Sequence, residues 1–60
     1  MTNVDEAFEF ITKVFVQVTA RDMYLICREY NIFEDEDVDK LKDELSKAGW
    51  QVSETGEMYL

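Results

Sequence analysis

The sequence predicts an α+β fold: three helices followed by a C-terminal β-hairpin, with a short third strand near Val16–Val18. Three observations predict it. Val38, Leu41, Leu45 and Ala48 recur at spacings of three, four and three, which is one face of a 3.6-residue helix. Two further helix starts, at Asn3 and Thr19, each stand three residues ahead of an acid, Glu6 and Asp22. The last eleven residues divide around Thr55 and Gly56 into two short runs that alternate apolar and polar side chains.

The first helix is expected from Val4 to about Phe15, capped by Asn3. Val4, Ala7, Phe8, Ile11, Val14, Phe15 and Val18 form one broad apolar face, with Phe10 at its edge. Val14, Val16 and Val18 also alternate in a β-branched stretch, which favours a short extended piece after the helix. A helix continuing to Val18 is the competing reading. The second helix runs from Ala20 to about Glu29 behind the Thr19 cap, with Met23, Ile26, Cys27 and Tyr30 inward and Tyr24 and Leu25 on the flanks. Asn31, which tolerates a left-handed backbone, closes it. Ile32 and Phe33 are apolar residues in a turn and are expected to plug the core, with Phe33 stapled onto Val38.

The third helix carries the densest signals. Glu34, Asp35, Glu36 and Asp37 crowd its start, where the dipole is positive and backbone N–H groups want acceptors, and Glu34 or Asp35 is the expected cap. Glu36–Lys40, Lys40–Glu44 and Asp43–Lys47 stand four apart. Gly49 is placed as the left-handed residue that ends the helix, which lets Trp50 fold back on Leu45. In the hairpin, a three-residue loop with Gly56 left-handed pairs Ser53 with Glu57, Val52 with Met58, Gln51 with Tyr59 and Trp50 with Leu60. Trp50, Val52, Met58 and Leu60 then share the face expected to meet the helices, and Gln51, Ser53, Glu57 and Tyr59 share the other.

Sixty residues make a single domain, 1–60, which buries only about 60% of its extended surface. The apolar share is 47%, rich enough that a second chain could cover part of it, so a homodimer is among the expected partners. A single cysteine leaves no internal disulfide, and a reducing, cytoplasmic location is the expectation. No long apolar run and no basic N-terminal leader is visible, so no membrane partner is expected.

Fourteen acids against six bases give a net charge of −8, which repels nucleic acid and anionic membranes and suits a basic partner. Solubility alone would also account for such acidity. Asp35, Asp37 and Asp39 alternate like calcium-loop ligands, but Lys40 and Ser46 stand where that loop needs Gly and Glu. With no histidine and one cysteine there is no zinc ligand set. Cys27 lies on an apolar helix face with no base beside it and reads as an inert thiol. No acid has an apolar pocket in view, and no glycine-rich phosphate loop is present. The chain is expected to be no enzyme and to need no cofactor or metal.

The order of helix, short strand, capped helix, turn, longer helix, glycine, aromatic and hairpin resembles a winged helix-turn-helix domain. Val18–Asp22, Leu41–Trp50 and Val52–Leu60 carry the likeness. In that family the third helix enters the DNA major groove. Here the same positions hold acids: between Glu34 and Glu44 there are seven acids and two lysines, a local charge of −5. Glu54 and Glu57 add to it from the wing. The stretch from Ala20 to Phe33 is also longer than that family's compact helix-turn-helix. By size and charge the chain is also similar to the small acidic host-takeover proteins of bacteriophages, some of which mimic DNA. The expectation is therefore a small protein-binding regulator or inhibitor. Its third helix presents Glu34, Asp35, Glu36, Asp37, Asp39, Asp43 and Glu44 to a basic protein, such as one that binds nucleic acid, with no direct nucleic acid contact of its own. The alternatives are a dimeric winged transcription regulator using Lys13, Arg21 and Arg28, and a structural subunit of a larger assembly.

Overall fold

The computed structural model describes residues 3–60. In chain order the elements are α1 (Asn3–Val14), β1 (Gln17–Val18), α2 (Ala20–Glu29), α3 (Asp35–Lys47), β2 (Gln51–Val52) and β3 (Met58–Tyr59). The fold is α+β. The three strands form an antiparallel sheet in the order β1-β3-β2.

The hairpin register is the expected one, with Gln51 opposite Tyr59 and Val52 opposite Met58. On the other side of β3, Gln17 faces Tyr59 and Val18 faces Met58. The third strand therefore exists, and the reading of one helix continuing to Val18 fails. A two-stranded hairpin is marginal alone, and β1 turns it into a sheet whose central strand is paired on both edges.

Local chemistry explains the boundaries. Thr19 and Asp22 form a reciprocal capping box: the Asp22 N–H donates to Thr19 Oγ1 at 3.0 Å, and the Thr19 N–H donates to Asp22 Oδ2 at 3.2 Å. Two helices end in the same way. At α3, the Gly49 N–H donates to the Ser46 carbonyl and the Trp50 N–H to the Leu45 carbonyl, both at 3.0 Å, with Gly49 at φ +103°. At α2, the Asn31 N–H reaches Arg28 and the Ile32 N–H reaches Cys27, with Asn31 at φ +57°. Each is a Schellman closure, and each throws a large apolar residue, Trp50 or Ile32, back into the core.

The core is Val4, Ala7 and Ile11 of α1, Val18 of β1, Met23, Ile26 and Cys27 of α2, Ile32 between α2 and α3, Leu41 and Leu45 of α3, and Trp50 and Met58. Phe8, Phe15, Tyr30 and Val38 pack against it, half-buried. Phe10 closes an aromatic cluster over the ends of α1 and α2, edge-on to Phe15 at 5.7 Å and tilted against Tyr30 at 5.9 Å.

Several expectations are corrected. Asn3 lies within α1, and the residue before it is outside those described. Val14, the last residue of α1, is 62% exposed, whereas Ile11 three residues earlier is fully buried. Ala48 is exposed because the closure places it at the helix cap and gives its inward place to Trp50. Of the turn pair only Ile32 enters the core. Phe33, one residue on, is 70% exposed. Glu34 is the cap of α3, yet its side chain bonds no backbone N–H. The row Val18, Met58, Val52 crosses the sheet, and only its first two members are covered. Val52 on the edge strand and Leu60 past the strand end are exposed at 52% and 63%.

Candidate functional site

α3 is held by one stripe: Val38 half-buried, Leu41 and Leu45 fully buried. That stripe packs on α1 and fixes which carboxylates face outward. With 100° per residue, Glu36, Asp39 and Asp43 fall opposite the stripe and form the outer ridge, and all three are exposed. Glu34 and Asp35 are exposed at the head of the helix, four and three residues before Val38 and so on its side. Asp37 and Glu44 sit on the opposite flank and are half-buried. The structure thus turns Glu36, Asp39 and Asp43 fully outward and sets Glu34, Asp35, Asp37 and Glu44 at the head and flanks of the same helix.

Few of them are neutralised locally. Among the described residues, the ion pair within α3 is Asp43 with Lys47 at 3.1 Å, both well exposed; Glu36–Lys40 and Lys40–Glu44 do not close. The hydrogen bond and charge of Asp43, with Glu44 adding to it, push the Lys47 amine above its ordinary value. In the hairpin, Glu57 is occupied: its carboxylate accepts from Thr55 Oγ1 at 2.9 Å, and its N–H donates to Ser53 Oγ at 3.1 Å. Glu54 remains exposed.

Beside the head of α3 lies an open groove of about 450 Å³. Met23 and Cys27 of α2 and Ile32 form its buried floor. Tyr24 and Phe33 rise at its rim, exposed at 64% and 70%, and Val38 closes the α3 side. Arg28 is the charged member of its wall. Burial pushes the Cys27 thiol up, and Lys42 on α3 partly counters this. Cys27 is therefore a protonated thiol in an apolar floor, because burial outweighs the nearby positive charge that would activate a nucleophile. A second hollow of about 420 Å³ lies under Phe10, Leu25 and Tyr30.

The sequence placed the acids but not the groove. The one available signal was Phe33, an apolar residue in a turn immediately ahead of four acids. The three cations of the alternative reading are dispersed: Lys13 ends α1, while Arg21 and Arg28 lie in the first and last turns of α2. Among the described residues, no three His, Cys, Asp or Glu side chains converge as metal ligands, and no helix is long and apolar enough to cross a membrane. No protein-family model, curated protein or solved structure matches the chain.

Proposed function

We propose that this chain is a small cytoplasmic regulator or inhibitor, built on a winged-helix-like frame, that binds a protein whose own surface is basic. The observation that carries the reading is the outward, largely unpaired set of carboxylates on α3. From Glu34 to Glu44 the helix rises about 15 Å, so seven carboxylates give one charge per roughly 2 Å of axis. Duplex DNA carries one per about 1.7 Å. Counting Lys40 and Lys42, the net spacing is about 3 Å, close to the 3.4 Å of a single strand. A cationic surface adapted to phosphates meets a similar line charge here, which steers association and competes for the same lysines and arginines. The same line charge repels a duplex, and so speaks against the third helix reading DNA directly.

The test replaces Asp35, Glu36, Asp39 and Asp43 by Lys, each exposed and remote from the core. Wild type and variant are used to capture proteins from a lysate of the source cells. Wild type should retain basic proteins that added duplex DNA displaces; the variant should lose them with its circular dichroism unchanged. Identical captures from both would refute the proposal. Nanomolar binding of duplex DNA at physiological ionic strength would refute it too, in favour of the transcription-regulator reading.

A further inference from the structure

We infer that the groove between α2 and the head of α3 docks one short amphipathic helix of the partner protein, apolar where it enters the groove and basic along the side that passes α3. The inference rests on the proposal that α3 is the partner-binding element, and adds where the partner's apolar side chains go.

Two observations meet at this place. The first is apolar. Tyr24 and Phe33 stand 64% and 70% exposed over a floor of Met23, Cys27 and Ile32. A volume of about 450 Å³ lies within the 300–1,000 Å³ range of ligand-binding clefts. Exposed aromatics around a preformed hollow are the anchors that protein interfaces favour. An open groove walled by one helix and the start of another suits a helix whose side chains at i, i+3 or i+4, and i+7 enter it.

The second observation is charge. Phe33 and Val38 both line the groove, and the four residues between them are all acids. Of these, Glu34 and Asp35 stand on the same side of α3 as Val38, so a ligand touching both ends of that segment runs past those two carboxylates. Across residues 20–38, which include every lining residue, six acids stand against two bases. Arg28 lines the α2 side of the groove, next to Cys27. The occupant is therefore cationic along its α3 side and neutral or acidic where it meets Arg28. A second copy of this chain fits poorly, because it brings a further charge of −8 to the same acidic head. The hollow under Phe10 has Glu29 alone beside it and no such run of acids.

The probe is a fourteen-residue peptide of leucine and lysine with the leucines on one helical face. The control has the same composition with the leucines scattered. Both are titrated calorimetrically at 150 mM NaCl against wild type, the groove variant Tyr24→Ser/Phe33→Ser and the charge variant Glu34→Lys/Asp35→Lys, each first checked by circular dichroism. The amphipathic peptide should bind wild type at least tenfold tighter than the control. The groove variant should erase that difference while leaving the control unchanged. Amide shifts should centre on Met23, Cys27, Ile32 and Val38. Equal affinity of the two peptides, or shifts centred on Phe10 and Leu25, would overturn the inference. If the charge variant weakens both peptides and the groove variant weakens neither, the acidic reading survives and the groove inference falls. If only the groove variant weakens binding, the acidic reading fails, and the basic character assigned to the occupant fails with it. Sedimentation showing a dimer that the groove variant dissolves would overturn the inference in favour of a second copy.

Discussion

Asp39→Asn should make the protein more stable and a weaker binder of a basic partner. Asp39 is exposed on the outer ridge of α3 and, among the described residues, holds no hydrogen bond or ion pair. It lies past the first turn of the helix, where the dipole's favour for acids has faded. Asp35 and Asp43 stand four residues away and Glu36 three, and each like-charged pair on an exposed helix costs about 0.2–0.5 kcal/mol. Lys42, three residues on, returns about the same amount once. Asparagine and aspartate have similar helix propensity, so the net gain expected is about 0.4–1 kcal/mol. In a domain of this size that raises Tm by roughly 2–8 °C. The assay is thermal unfolding followed by circular dichroism and Trp50 fluorescence, in 10 mM and in 1 M NaCl. At 1 M salt the screening length falls to about 3 Å, and the gain should shrink toward zero. A lower Tm at low salt, or a gain that survives unchanged in 1 M NaCl, would refute the claim that this ridge is an open, unneutralised line of charge.

Leu41 is fully buried at the centre of the α3 stripe, so Leu41→Ala should cost about 2–5 kcal/mol. A sixty-residue domain has only about 3–9 kcal/mol in total, so urea denaturation should find the variant largely or wholly unfolded; a loss below about 1 kcal/mol would show that α3 is not packed as described. Thr19→Ala removes the side-chain oxygen that accepts from the Asp22 N–H, while the backbone N–H of residue 19 can still donate to Asp22, and should cost about 0.5–2 kcal/mol in the same assay, whereas Thr19→Ser should keep most of it. Burial raises the Cys27 thiol above its ordinary value of 9.0, so the unfolded chain releases that proton first. Stability should hold below that pH and fall as pH climbs toward the higher folded value, and Cys27→Ala should remove that part of the alkaline decline. Native Cys27 should react slowly with iodoacetamide, and fast labelling at neutral pH would contradict the buried floor of the groove.

What the sequence by itself determined is local. The Thr19–Asp22 box, the Asn31 and Gly49 closures and the Gly56 loop are each written within four to six consecutive residues, because their hydrogen bonds join neighbours in the chain. The 3.6-residue stripe of α3 and the hairpin register follow the same logic, and so does the set of acids that the stripe turns outward. Coverage is different, because it depends on which elements stand over a residue. Val18, Met58 and Val52 occupy one row of the sheet, yet the helices cover two and leave the third open. Phe33 had every local reason to be buried and instead forms a rim. The left-handed turn at Asn31 sends Ile32 inward, while Phe33, one residue on, stands where no helix covers it. The groove exists only once α2 and the head of α3 lie side by side, and no periodicity along a single element encodes a space between two of them.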